Sequence, residues 1–362
     1  MKSAEKPKVY PIILNWNSCK DTVQCLESLL KCDYGLIHPI ICDNDSSDGS
    51  IEFIEQWANS YPEEDDLSNQ LAIKNRRTGL KYNTVNIGTT DRLNDEATFT
   101  LIQTGSNLGY AGGNNVGIQY ALEQGDCDYV WILNPDTIVA PNALRIMVEH
   151  SQGLLFRGIK NTCGSMLCFY DEPDTLQALG GGTFNRWTGI AHDAQGKYQS
   201  RHDIFDHAEV CKKLDYLTGC SLLVPRNFIE EIGLMEEGYF LYYEEADWAQ
   251  RSSGRYELTY APGAIVYHKV GASIGSRKLK SGPSVQADYF MSRSRKIFMK
   301  KFFPRRYIFV WASLILQAAN RLRQGKPKNA YAIFKATLGL KEGKYLQITP
   351  REPNLKRKSL EA

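Results

Sequence analysis

An alternation in the first hundred and fifty residues most constrains the fold of this chain. Short apolar runs are separated by segments whose apolar residues recur with helical spacing. Val9 to Asn15 is the first such run and reads as a buried strand; Asp21 to Leu30 follows, with Val23, Leu26, Leu29 and Leu30 on one helical face. His38 to Cys42 reads as a second strand, Ser50 to Trp57 as a helix, and Phe99 to Gln103 as a third strand. Asn114 to Glu123 is again helical, and Asp128 to Leu133 is a fourth strand. This pattern predicts an α/β fold, a parallel sheet with helices on its faces. Ligands of such sheets sit beyond the carboxyl ends of the strands.

Two segments depart from the alternation. Residues 59–98 hold Glu63-Glu64-Asp65-Asp66 and Lys74-Asn75-Arg76-Arg77 with few large apolar residues, which predicts a long surface insertion. Residues 150–290 carry glycines at 180–182 and short strand-like pieces between loops, which predicts an antiparallel extension. The expected organisation is a domain over 1–290, with halves 1–150 and 151–290, followed by a basic amphipathic region over 291–362. In that region Arg293, Arg295, Lys296, Lys300, Lys301, Arg305 and Arg306 interleave with Ile297, Phe298, Phe302 and Phe303. Tyr307 to Ala319 is apolar but short of a membrane-spanning length. The pattern fits a helix lying on an anionic membrane surface, and equally a helix packed on the domain with its basic face solvated.

Composition narrows the classes. With 362 residues and 43% hydrophobic content, the chain can bury a sizeable core. A net charge of +2 gives no ground for a nucleic-acid partner. Tyr10 to Leu14 is too short for a signal peptide and reads as a strand. The nine cysteines include no Cys-x-x-Cys pair, and Cys42, Cys168 and Cys220 lie in apolar stretches. They are expected to be reduced thiols, small buried hydrophobes of a cytoplasmic protein.

The chemistry collects at the predicted strand ends. Strand one ends in Asn15-Trp16-Asn17, strand two in Asp43-Asn44-Asp45, and strand three in Thr104 to Asn115; strand four ends in Asn134-Pro135-Asp136. Four polar ends along one sheet edge make a polar cleft. Glycines 109, 112 and 113 would let a backbone approach a ligand, and the helix after them would offer N–H groups to a phosphate. The run is neither a dinucleotide fingerprint nor a P-loop. Asn-Pro-Asp is good turn chemistry. A lone Asp136 also suffices for Mg²⁺ or Mn²⁺ where phosphate oxygens complete the shell. His268, after another predicted strand, is either a structural histidine or an imidazole ligand that favours Mn²⁺. Glu244, Glu245 and Asp247 crowd together beside aromatics. They read as a helix N-terminus or as a base with a raised pKa.

Seven pieces, in order, resemble the family 2 glycosyltransferases of the GT-A fold, nearest the rhamnosyltransferase-like branch of bacterial polysaccharide synthesis. They are ILNWN (13–17), CDNDSSDGS (42–50), NLGYAGGNNVGI (107–118), LNPDT (133–137), TGCSLLVPR (218–226), YEEADWAQR (243–251) and APGAIVYHKVGAS (261–273). The resemblance implies a mainly parallel central sheet flanked by helices, with a small antiparallel extension and a C-terminal helical appendage. It places Asn15 and Asn17 beside the nucleotide, Asp43 on its base with Asp45 next to it, and Asn107, Gly113, Asn114 and Asn134 in the nucleotide-sugar pocket. Asp136 stands at the last position of the Asp-x-Asp motif, with Asn134 replacing the first Asp, and His268 matches the metal-proximal His. Glu245 takes the place of the family's usual catalytic Asp, a departure of one methylene, while Asp247 and Arg251 match positions that orient the acceptor.

The implied activity is metal-dependent sugar transfer with inversion, using Mn²⁺ or Mg²⁺. The favoured donor is dTDP-rhamnose, with UDP- or GDP-sugars as alternatives. The acceptor is a saccharide, expected to be lipid-linked and met at the inner face of the cytoplasmic membrane. Two other readings stand beside this one. A sugar nucleotidyltransferase would share fold and metal, but such enzymes carry a Gly-rich loop with Arg and Lys after strand one, which Asn15-Trp16-Asn17-Ser18 lacks. A non-catalytic subunit of a polysaccharide assembly complex is left open by Glu245.

Overall fold

Apolar runs bounded by turn residues form the strands of a single large sheet. The computed structural model describes residues 6–62, 79–86, 96–192, 194–269 and 283–340. The first half contains β1 (Val9–Asn15), α1 (Cys19–Leu30), β2 (Ile40–Asp43), α2 (Ser50–Ser60), β3 (Tyr82–Asn86), β4 (Phe99–Gln103), α3 (Gly109–Glu123) and β5 (Tyr129–Leu133). Then come β6 (Thr137–Val139), α4 (Ala143–Phe156), β7 (Asn161–Phe169), β8 (Leu176–Leu179), β9 (Gly181–Gly182), α5 (His207–Lys213) and β10 (Tyr216–Leu217). The rest is β11 (Ser221–Pro225), α6 (Arg226–Ile232), α7 (Glu244–Ser252), β12 (Glu257–His268), α8 (Val285–Phe302), α9 (Tyr307–Arg323) and α10 (Pro327–Leu338).

The sheet order is β3-β4-β2-β1-β5-β11-β7-β12-β6, with β8 added on β7. From β3 to β5 every neighbour is parallel. Strand β11 is reversed between β5 and β7, whereas β7 and β12 pair in parallel. Strand β6 runs antiparallel at the far edge, and β9 with β10 forms a separate antiparallel pair. Side chains alternate across the sheet. Ile13, Ile41 and Trp131 pack with α1, α2 and α4 on one face, while Ile12, Ile40 and Val130 pack with α3, α6 and α7 on the other. Each such side chain contributes roughly 1.5–3 kcal/mol on burial, so a one-residue slip of a central strand is strongly disfavoured.

Three sequence expectations are refined. The stretch read as a surface insertion contributes β3, an edge strand parallel to β4. Among its residues only Val85 is buried, so no apolar run announced it. Residues 63–78 and 87–95 lie outside the described residues, as do 270–273 of the last motif and the tail 341–362. The stretch read as an antiparallel extension sends β7, β11 and β12 into the central sheet; only β8 and the β9–β10 pair extend outward. The strand read before His268 is the end of the 12-residue β12, which absorbs Pro262 and Gly263 in an irregularity between Tyr260 and Ile265. Cys42 and Cys168 are buried as expected, but Cys220 is half-buried at the end of the sheet.

The helices after β12 pack on the domain. Ser284 caps α8 through the Ala287 amide, and Phe298 and Met299 of α8 are buried with Phe184, Tyr239, Val310, Leu314 and Ile333. Most cations of this region turn inward. Arg293 donates to the carbonyls of Gly238 and Tyr239 at 3.0 and 2.8 Å, and Arg295 to Gln317 at 3.1 Å. Lys296 donates to the last carbonyls of α10, Lys301 to Glu236 and Asp247, and Arg306 stacks on Trp187. Of the two readings for the basic helix, α8 follows the domain-packed one.

Residue 109 joins the two halves. The Tyr110 amide donates to the Phe240 carbonyl at 2.7 Å, and a Cβ at Gly109 would lie 2.4 Å from that same oxygen, at φ +74°. Gly109→Ala is expected to cost about 2–4 kcal/mol, from left-handed strain plus overpacking. Gly105→Ala, at φ +70° with open space around it, should cost only about 1–2 kcal/mol. Urea midpoints of the two variants check this; equal losses would mean that the Phe240 loop is not seated there.

Candidate active site at the carboxyl edge of the sheet

Register brings the polar ends together. Asn15 pairs with Asp43, and Asp43 with Gln103, so the chain leaves β1, β2 and β4 at one level. The Asn15 amide nitrogen donates to Asp43 Oδ1 at 2.7 Å and to Ser46 Oγ at 3.1 Å, and its oxygen accepts from Thr22 at 2.7 Å. The Ser46 amide donates to Asp43 Oδ2 at 3.0 Å. Both residues are buried, so Asp43 is a fixed acceptor held by neutral donors. Asn17, at φ +52°, accepts from the Ser47 amide at 2.8 Å and straps the loop after β2. Asp45, at φ +62°, is exposed at the rim.

The glycine-rich turn is built differently from the sequence expectation. Gly113 faces the sheet, where a Cβ would lie 2.3 Å from Leu14 Cδ1; its bareness lets α3 sit on β1. The first two amides of α3 are already engaged. Gly109 donates to Asn107 Oδ1 at 3.0 Å and Tyr110 to the Phe240 carbonyl, so they do not await a phosphate. Asn114 is fully buried; its nitrogen donates to the Tyr110 carbonyl, and its Oδ1 has no hydrogen bond. Asn44, given no role from sequence, is the latch of this region. It donates to Asn107 Oδ1 and the Gly109 carbonyl, and accepts from the Leu108 amide at 2.9 Å. Its position between two acids in the motif was the available signal.

Asp136 and His268 meet because β12 pairs with β6, setting His268 opposite Thr137. Both side chains are buried, and His268 Nε2 lies 3.2 Å from Asp136 Oδ1. The geometry leaves Asp136 Oδ1 without a hydrogen bond. His268 Nδ1 is 2.9 Å from Gln177 Oε1 and donates to it, so Nε2 is the nitrogen turned to the carboxylate. The arrangement seeks a cation, either a proton on the imidazole or a metal ion. Burial disfavours the Asp136 carboxylate, yet His268 and Lys269 outweigh it and hold its carboxyl below the usual range. Burial likewise opposes the imidazolium, but Cys220 and Asp136 hold the His268 pKa well above its ordinary value. These two residues fit a divalent ion that takes its remaining ligands from phosphate and water. Among the described residues no group of three or more His, Cys, Asp or Glu could hold a metal ion alone. Asn134 adds no carboxylate; its oxygen accepts from the Tyr110 hydroxyl at 3.3 Å.

The three acids of α7 separate by environment. Glu244 is buried, with Oε1 unbonded; burial and the neighbouring Glu245 carboxylate drive its pKa well up. Glu245 is half-buried and accepts from the Gly219 amide at 3.0 Å. Burial raises its pKa against that bond. Asp247, expected to orient the acceptor, is instead wholly buried in an ionic cluster. It accepts from Tyr239 at 2.9 Å, Arg251 at 2.6 Å and Lys301 at 2.7 Å, and Arg251 also clamps the carbonyls of Ile232 and Leu234. Three donors hold its two oxygens, two of them cationic, which suits structure rather than proton transfer.

One turn links the base-like acid to the metal-like pair. The Gly219 amide holds Glu245, and its carbonyl accepts from Tyr110 at 3.0 Å. The next carbonyl, Cys220, accepts from the Asn134 amide, and Cys220 Sγ lies 3.7 Å from His268 Nε2. A Cβ at position 219 would lie 2.2 Å from the Tyr110 hydroxyl and 2.4 Å from Glu245 Oε1, so only glycine fits. Gly219 and Tyr110 were quoted in the motifs without a role, and their contact depends on tertiary packing.

No family model matches the chain. It is 28% identical over 155 residues to a low-salt glycan biosynthesis hexosyltransferase of Haloferax volcanii, covering 42% of this chain and 45% of that protein. It is also 28% identical over 198 residues to an N-acetylglucosaminyl-diphospho-decaprenol L-rhamnosyltransferase of Mycobacterium tuberculosis, covering 48% of this chain and 60% of that one. The match thus spans less than two thirds of either relative. A solved mannosyltransferase of Pyrobaculum calidifontis, in complex with GDP-Man and Mn²⁺, superposes with a TM-score of 0.49 at 13% identity, over 94% of this chain and 77% of that one. The chain is a sequence relative of glycosyltransferases, one of them a rhamnosyltransferase, and the resemblance read from its motifs is borne out. The mainly parallel α/β sheet flanked by helices is likewise the expected fold.

The raised pKa of Glu244 gives a signed test. Folding favours its neutral form, so its contribution is fully present below the ordinary glutamate pKa of about 4.3 and is lost as pH rises through the higher folded value. Glu244→Gln should therefore melt above the parent protein at neutral pH, with the difference closing below about pH 4. Melting curves across pH check this; a gap independent of pH would mean that folding does not raise the Glu244 pKa.

Proposed function

We propose that this protein is a glycosyltransferase that moves a sugar from a nucleoside diphosphate donor to a saccharide hydroxyl, with inversion at the anomeric carbon. The observation that carries the reading is the buried, unbonded Asp136 oxygen facing His268 Nε2, at the sheet edge where four polar strand ends meet. Asp43, fixed by Asn15 and the Ser46 amide, offers oriented acceptors to a nucleotide base, with Asn17 and Asp45 at the rim. A divalent ion, Mn²⁺ or Mg²⁺, held by Asp136 and His268 would offset the charge that develops on the departing diphosphate.

Glu245 is the residue we assign as general base. A sugar hydroxyl is a poor nucleophile at neutral pH, and a carboxylate must take its proton as it attacks. Burial raises the basicity of Glu245, and the Gly219 amide fixes one of its oxygens. The same turn ties it to the Asp136–His268 pair, so base and leaving-group side are held in one frame. The favoured donor is dTDP-rhamnose, supported by the motif resemblance and by the rhamnosyltransferase relative, with UDP- and GDP-sugars as the other donors to test. The favoured acceptor is a saccharide on a lipid diphosphate, the class named for that relative.

Melting temperatures with dTDP, UDP, GDP and CDP, each with Mn²⁺, Mg²⁺ or chelator, test the donor side. One nucleotide should raise the melting temperature in a metal-dependent way, and Asp136→Ala should abolish the rise. Because metal must displace the His268 proton, the rise should grow as pH increases. Glu245→Gln should keep the rise and lower kcat by about a hundredfold to ten-thousandfold. A rise without any turnover in the parent protein would instead favour a non-catalytic subunit, and no rise with any nucleotide would reject the donor site.

A further inference from the structure

Helix α9 buries one face and leaves the other uncovered. Val310 and Leu314 are fully buried with Phe298 and Ile333, whereas Ile308, Ile315, Leu316 and Leu322 are 69, 60, 71 and 59% exposed. Their spacing keeps them on one side of the helix, and no charged residue occurs from Tyr307 to Asn320. On α10, packed beside α9, Tyr331, Phe334 and Leu338 form a second exposed stripe. Single exposed apolar residues are ordinary; two stripes on adjoining helices mark an interaction surface. At the start of α9, the half-exposed Trp187 ring packs against Phe309 and under Arg306.

Charge identifies the occupant. From Tyr289 to Leu340 the chain has twelve Lys and Arg and no Asp or Glu. Several cations of α8 are used inside the fold, but Lys300, Arg305, Arg323 and Lys328 are exposed without an acidic partner among the described residues. A second copy of the chain would set these cations against one another, and a nucleic acid would leave the apolar stripes uncovered. An anionic bilayer matches both features, apolar contact below the headgroups and cations at their level, with a tryptophan at the boundary. We propose that the exposed faces of α9 and α10 seat the protein on an anionic membrane surface, parallel to it. No described helix is long and apolar enough to cross a membrane. The geometry stands without the sugar-transfer reading, and rests on it only for the idea that a lipid-linked acceptor waits at that surface.

The test is co-sedimentation of the full chain with vesicles of phosphatidylcholine, with and without phosphatidylglycerol, at low and high salt. The protein should pellet with the anionic vesicles and be released by salt. Arg323→Glu with Lys328→Glu should weaken binding by more than about fivefold per site. Ile315→Ser with Leu316→Ser should weaken it by about tenfold or more, both double variants keeping the parent circular dichroism. Parent protein left in the supernatant with anionic vesicles overturns the proposal, as does equal binding to neutral vesicles. It also falls if the serine variant turns a dimer into a monomer in sedimentation equilibrium while vesicles bind neither form. Nucleotide melting shifts on the same samples separate the two readings: their absence beside intact vesicle binding rejects the donor site alone.

Discussion

The register of β1 against β2 and β5 is the constraint on which the rest of the site depends. Ile12 and Ile13 face opposite helical layers, so the strand cannot slide by one residue without exchanging two buried faces. That fixes where the apolar run stops, and therefore the level at which Asn15, Asp43 and the residues after Leu133 emerge. The reversed strand β11 adds the complementary half. Because it runs the other way, its start, not its end, lies at this edge, and the Thr218-Gly219-Cys220 turn lands between the two groups it connects.

The first four central strands were legible because a strand buried on both faces is a continuous apolar run, which is rare elsewhere in a chain. β3 was illegible for the converse reason: at the sheet edge it needs one buried residue, Val85. The end of β12 before His268 was legible, but Pro262 and Gly263 masked its full length, since the pair normally ends an element and here only bends one. Site residues followed the same division. Asp136 and His268 could be named from motifs, but 132 positions separate them, and their contact comes from antiparallel pairing that no local pattern encodes.

Asp247 shows what motif reading leaves out. Its partner Arg251, four residues on, was visible on the sequence as a helical neighbour. Tyr239 and Lys301, which complete its shell, come from a preceding turn and from α8. An acid in a catalytic-looking cluster is therefore assigned by the number of donors around it, not by its neighbours in sequence. Glu244 and Glu245 differ in the same way. One is sealed without a partner for Oε1, and the other is half-buried on the Gly219 amide.

The Asp247 cluster also ties two parts of the molecule that look separable on the sequence. Helix α7 carries Glu245, and two residues on, the buried Asp247 receives the partly exposed Lys301 from α8. Losing Lys301 would leave the buried Asp247 carboxylate with Arg251 and Tyr239 alone, one cation fewer around a charge shut off from water. α7 and the C-terminal helices thus behave as one cooperative unit, whose loosening by heat or denaturant loosens Glu245 as well. The C-terminal helices act as a buttress, and the acid assigned as base keeps its aim only while they are docked.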